Sequence, residues 1–129
     1  MQVIQKYVTA IENGDENLLK EVFAPRVLFE IPSGESSSNP VDVTSHIMSQ
    51  IAKVLPGIKN SLTADAGNGW HLLAFDAQIE GQKLQAVDQV HLDKDGRVDQ
   101  LTIYMRPISA AQKFLEAIGR RLQPQLARS

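Results

Sequence analysis

Near residue 62 the spacing of apolar residues changes from helical to alternating, and this change narrows the possible folds more than any other feature of the chain. Before it, Val3, Ile4, Tyr7, Val8 and Ile11 form one stripe at helical period, which predicts a helix over 2–13 with the Tyr7 hydroxyl facing inward. Asn13-Gly14 ends that helix and Asp15 caps a second one, Glu16–Phe23, which buries Leu18, Leu19, Val22 and Phe23. Pro25 stops it, and Val27–Ile31 reads as a short strand closed by Pro32. Ser33–Asn39 is polar and reads as an exposed connector or a lid. A third helix runs from Val43 to Leu55, capped by Thr44 or Ser45 and ended by Pro56-Gly57.

After the change, Leu62–Asp65, Trp70–Ile79, Leu84–Leu92 and Val98–Met105 alternate as strands. The pieces between them, AGNG, EGQ and DKDG, suit antiparallel hairpins. Ser109 then caps a last helix with Phe114, Leu115, Ile118 and Leu122 on its apolar face and Glu116/Arg120 spaced i, i+4. The order predicts one domain over residues 1–129 of α+β class. A cone-shaped, curved, mixed or antiparallel sheet packs on the N-terminal helices, with an added C-terminal helix. Curvature leaves room for a small ligand between helices and sheet.

The strand Leu84–Leu92 carries the main chemical signal. Leu84, Ala86, Asp88, Val90 and Leu92 share one face, and four of the five are apolar. A carboxyl on such a face must be paired, neutralised or used, because burying its charge alone is costly. Asp88 is therefore a buried group held by a neighbouring hydroxyl or backbone amide, a residue left wet by a shifted register, or an acid with a raised pKa that can donate a proton or a hydrogen bond. Tyr7 is core filler taken alone; beside Asp88 it completes a pair of neutral donors of the oxyanion-hole kind. His71, on the face of Leu73, Phe75, Ala77 and Ile79, is a satisfied strand-end residue or a general base at neutral pH. The candidate catalytic set is thus Asp88, Tyr7 and His71.

Several classes are disfavoured. The formal net charge of −2 gives no electrostatic reason to expect nucleic acid or a membrane as partner. Cysteine is absent, so thiol nucleophiles, disulfides and thiolate metal sites are excluded. His46, His71 and His91 lack metal-ligand spacing, and no P-loop, dinucleotide glycine fingerprint or GxSxG elbow occurs. No cofactor and no metal are expected. With no apolar run long enough to span a bilayer, the expected location is the cytoplasm.

The opening VIQKYVTAIENGDENLLKEVFAPRVLFEIP and the later AVDQVHLDKDGRVDQLTIYM resemble the nuclear-transport-factor-two-like superfamily, in its ketosteroid-isomerase-like and SnoaL-like branch. The resemblance implies the cone fold. It sets Tyr7 on the family's oxyanion-hole tyrosine and Asp88 on its protonated aspartate, an acid kept neutral by an apolar site in the isomerase. It also implies losses. Ile31 stands where the isomerase has its proton-shuttling aspartate, and Ile51 where a further tyrosine stands. Glu30 is turned away by strand alternation. Ala86 and a position near Ile103 replace the arginine and second aspartate of the limonene-epoxide-hydrolase-like members.

The pocket expected from this reading is lined by Val8, Ile31, Ile51, Leu73 and Phe75, and by Ala86, Val90, Leu101, Ile103 and Met105. Its partner would be a small, mostly apolar, oxygen-bearing molecule, bound or taken through isomerisation, cyclisation or dehydration. The alternative is a non-catalytic ligand-binding or dimerisation module whose cone is filled by side chains. A homodimer is expected through the outer sheet face (Trp70, Leu72, Ala74, Val87, Gln89, Thr102, Tyr104), as the family commonly forms.

Overall fold

A computed structural model describes residues 2–126 and places four helices against one six-stranded sheet. Helix α1 (Val3–Asn13) turns into α2 (Glu16–Val22) at Gly14, whose φ of 64° is left-handed. A side chain there would also meet the Ser49 carbonyl at 3.0 Å, so both backbone and space require glycine. Asp15 caps α2 by accepting from the Leu18 amide at 3.1 Å.

Strand β1 (Phe23–Glu30) follows without a break, so Pro25 lies within a strand instead of ending a helix. The proline is tolerated because β1 bulges between Phe23 and Leu28 where it faces β6 (Val98–Arg106). The serine-rich segment, expected as an exposed connector or a lid, contains a second strand, β2 (Ser36–Pro40). It forms the sheet edge by pairing with β1, and Arg26 fixes it with bonds to the Ser38 hydroxyl and carbonyl at 3.2 and 2.9 Å.

Helix α3 (Val41–Val54) begins three residues before Thr44. Neither Thr44 nor Ser45 caps it: both are buried inside the helix, and the N-cap residue is Pro40. Strands β3 (Lys59–Gly67), β4 (Trp70–Ile79) and β5 (Gln82–Leu92) then run antiparallel into β6. The sheet order is β2-β1-β6-β5-β4-β3, antiparallel except for the β1–β6 pair, so the curved sheet is mixed and unclosed. Helix α4 (Ile108–Leu126) enters directly after Pro107, with the Ala111 amide bonded to the Pro107 carbonyl. Ser109 is thus inside its first turn, and its hydroxyl takes a bond from Gln82 at 2.7 Å.

One core joins the layers. Tyr7, Ile11, Leu19, Met48, Leu55 and Phe114 from the helices pack on Val27, Phe29, Leu73, Phe75, Leu101 and Ile103 of the sheet. No helix among the described residues is long and apolar enough to cross a membrane.

Candidate functional site

Asp88 sits at the middle of β5, and the strand register sets Leu73 of β4 and Ile103 of β6 directly beside it. Its cross-strand neighbours are therefore both apolar, and the residue is only 4% exposed. Tyr7 reaches it from α1, where it is fully buried and Phe23 packs edge-on at a ring separation of 6.2 Å. The tyrosine hydroxyl donates to Asp88 Oδ2 at 2.5 Å. Among the described residues no other donor reaches Asp88.

Burial governs the protonation of both groups. Desolvation pushes the Asp88 carboxyl up to about 7, against a smaller lowering by the Tyr7 hydrogen bond. Tyr7 is held well above the usual phenol range, first by burial and then by the adjacent carboxylate. The phenol thus stays neutral, while Asp88 exchanges its proton near neutral pH. In the neutral pair two O–H groups share one apolar space, and both can serve a ligand oxygen that accepts hydrogen bonds.

A cavity adjoins the carboxyl, lined by Ile11 of α1, Ile51 of α3, Leu55, Ile58, Phe75, Ala86, Ile103, Met105 and Phe114 of α4. Its volume is only about 10 Å³, about the space of one water molecule. Side chains therefore occupy the cone, with Phe114 entering it from the C-terminal helix.

Of the expected lining, Ile51, Phe75, Ala86, Ile103 and Met105 border this cavity. Leu73, Val90 and Leu101 do not, because they are fully buried in the packed sheet face. Val8 instead lines a groove between α1 and β3 with Ile4, Asn60 and Thr63. Ile31 lies beyond the end of β1 and bonds Glu35 and Gly34 in the turn to β2. Glu30 takes a bond from Thr102 at 2.9 Å on the outer side, away from the cavity. His71 pairs across the sheet with Asp65 and Val90, and no hydrogen bond joins it to Tyr7 or Asp88. The structure brings Tyr7 and Asp88 together and leaves His71 apart from them.

Ile11, Leu55, Ile58 and Phe114 border the cavity without having been expected there. Ile11 was open to detection, being one turn from Tyr7 on the same stripe. The other three depend on how α3 and α4 dock.

Elsewhere, His46 Nδ1 lies 3.0 Å from Glu16 and His91 Nδ1 lies 2.6 Å from Asp99. The hydrogen bond from His46 is the main cause holding the Glu16 carboxyl below its usual range. Among the described residues no group of three or more His, Cys, Asp or Glu side chains could hold a metal.

The architecture has close counterparts. An uncharacterised protein with a cystatin-like fold from Silicibacter pomeroyi DSS-3 superposes with a TM-score of 0.88 at 19% identity, covering 94% of this chain and 85% of its own. A steroid delta-isomerase from Pseudomonas aeruginosa superposes at 0.85 with 25% identity, covering 97% and 92%. The fold is the nuclear-transport-factor-two-like fold. An epoxide hydrolase/cyclase-like enzyme, SalBIII, described in pyran ring formation in the polyether salinomycin, matches at 0.66 with 14% identity over 84% and 90%. Both enzymes share this fold with the chain. The first two matches leave fewer residues unmatched than the 19 of α4, so at least part of that helix has a counterpart in each. No family model and no curated protein matches the sequence.

Proposed function

We propose that this protein binds a small, mostly apolar molecule through one carbonyl, enol or hydroxyl oxygen, which takes hydrogen bonds from Tyr7 and protonated Asp88. The reading rests on the 2.5 Å hydrogen bond between these two groups beside a cavity whose lining is otherwise apolar. Two donors fixed in a dry site favour an oxygen that gains negative charge, which is the demand of isomerisation, cyclisation or dehydration through an enolate. Asp88, with its proton exchanging near pH 7, is the acid in such a step. Ile31 supplies no base, so a reaction of this kind needs its proton acceptor from the substrate or from water. The steroid delta-isomerase likeness supports the fold and the ligand class in this proposal.

The test uses 4-fluoroacetophenone, an apolar ketone that only accepts hydrogen bonds, followed by fluorine NMR. Binding is expected to tighten as pH falls through 7, when Asp88 gains its proton. In Tyr7→Phe it weakens by roughly tenfold, and in Asp88→Asn, which always donates, the pH dependence disappears. Binding that ignores both pH and Tyr7→Phe would refute the polar-pair role.

A second reading has its own observation. A cavity of about 10 Å³ fits a cone filled by side chains, serving as a non-catalytic module. Absence of ketone binding even after Phe114→Ala would favour that reading. The partner proposed with either is a second copy of this chain, seated on the outer sheet face.

A further inference from the structure

At one end of the sheet a cleft of about 890 Å³ lies between the α3–β3 turn and the β6–α4 corner. Pro56, Gly57 and Lys59 border one side and Arg106 and Pro107 the other, with Asp76–Gln78 and Lys83–Gln85 between them. The strand register explains why charge gathers here. Lys59 pairs with Asp76, Asp76 with Gln85 and Gln85 with Arg106, which sets four side chains in one row across four strands. Lys83 is opposite Gln78, one step further along.

The cleft thus holds three cations and one carboxylate in a chain whose overall charge is negative. Among the described residues none of the three cations forms an ion pair; the lysine pairs are Lys6–Glu21 and Lys20–Glu16. Arg106 is already oriented, because its Nε donates to Gln85 Oε1 at 2.8 Å while Gln85 Nε2 donates to Asp76 at 3.3 Å. This leaves the two Nη groups of the fork for an anionic oxygen pair. The rest of the lining includes the exposed Pro56 and Pro107, which suit an aromatic or alkyl body.

We propose that this cleft is a second ligand site, separate from the Tyr7–Asp88 pair, and that it takes an amphipathic organic monoanion. Its carboxylate is held by Arg106 with Lys59 and Lys83, and its apolar body lies against the exposed rings of Pro56 and Pro107. Asp76 decides the charge of the ligand: a carboxylate in the same row repels a phosphate dianion or a polyanion more than a single carboxylate.

The test compares naphthalene-2-carboxylate with naphthalene-2-methanol, the same body without charge, by calorimetry and by amide NMR shifts on the full chain. The carboxylate is expected to bind and to shift amides at 57–59, 76–78, 83–85 and 106, and the alcohol to bind at least fivefold more weakly. Arg106→Gln and Lys83→Gln change exposed side chains only, and each is expected to weaken the carboxylate by roughly five- to tenfold. Affinity also falls as salt is raised from 50 to 500 mM. Equal binding of acid and alcohol, shifts elsewhere in the molecule, or unchanged affinity in both variants would each overturn the proposal. Ketone binding at Tyr7 is expected to be unaltered by Arg106→Gln, so the two sites succeed or fail separately.

Discussion

Asp88 keeps its proton to about pH 7 in the folded chain and loses it near pH 4 when unfolded. Between those values the folded state binds more protons, so stability falls as pH rises. The contribution is fully present below pH 4 and is lost on passing through 7, at a slope of at most about 1.4 kcal/mol per pH unit. Asp88→Asn removes this dependence. In urea unfolding, the stability of Asp88→Asn relative to the natural chain is expected to rise by on the order of 2–4 kcal/mol between pH 4 and 8. A constant difference would mean that the carboxyl is hydrated. Tyr7→Phe tests the other member of the pair. With the phenol gone, the carboxylate has no donor, so the variant is expected to lose about 1–3 kcal/mol at pH 8 and less at pH 5. The carboxyl midpoint read by carbon NMR moves upward, because the Tyr7 bond is what lowers it. Both side chains were legible in the sequence for one reason each. Asp88 breaks an apolar alternation, and Tyr7 lies at the centre of a helical stripe.

Helix α4 shows what periodicity conveys and what it omits. Its stripe of Phe114, Leu115 and Ile118 indicates a helix with a buried face, but not that Phe114 enters the cone and leaves about 10 Å³ beside Asp88. Docking of the helix is fixed by contacts no local pattern announces, including Arg121 donating to Gln50 of α3 at 2.7 Å and Gln82 donating to Ser109. Strand β2 was hidden for a different reason. Three serines and an asparagine have little strand preference, and the element exists because β1 and Arg26 offer it partners. The hydroxyl residues Thr44, Ser45 and Ser109 resemble caps by type, but each lies inside its helix: Thr44 donates back to the Pro40 carbonyl at 3.3 Å, Ser109 accepts from Gln82, and the Ser45 hydroxyl is buried without a partner among the described residues. Phe114→Ala follows from the docking. It is expected to cost about 3–5 kcal/mol in urea unfolding and to tighten 4-fluoroacetophenone by opening the cone. Weaker or equal ketone binding in that variant would show that Phe114 does not obstruct the interior.

The molecule as a whole has two unlike sheet faces, and the outer one is unusually apolar for a surface. Leu62, Ala74, Val87 and Tyr104 form a continuous cross-strand row from β3 to β6. Leu62 is 63% exposed and Tyr104 52%, with Leu72 beside them at 39%. A row of this length differs from scattered apolar residues, which any surface carries. The fold cannot cover it, because all four helices pack on the opposite face or at the sheet end. A second copy can, by a two-fold axis that lays the row on itself. The bordering rows support that geometry. Arg106, Gln85 and Asp76 border the apolar row with polar groups on one side, while on the other Thr102 and Gln89 are polar and Leu72 and Ala64 extend the apolar surface. The expected result in sedimentation equilibrium at micromolar concentration is twice the chain mass. Val87→Lys puts like charges close to the axis and is expected to reduce the mass to a single chain, with unchanged far-ultraviolet circular dichroism. A single-chain mass for the natural protein would leave the outer face without its proposed partner. The interior pair would be unaffected, since neither Tyr7 nor Asp88 reaches that face.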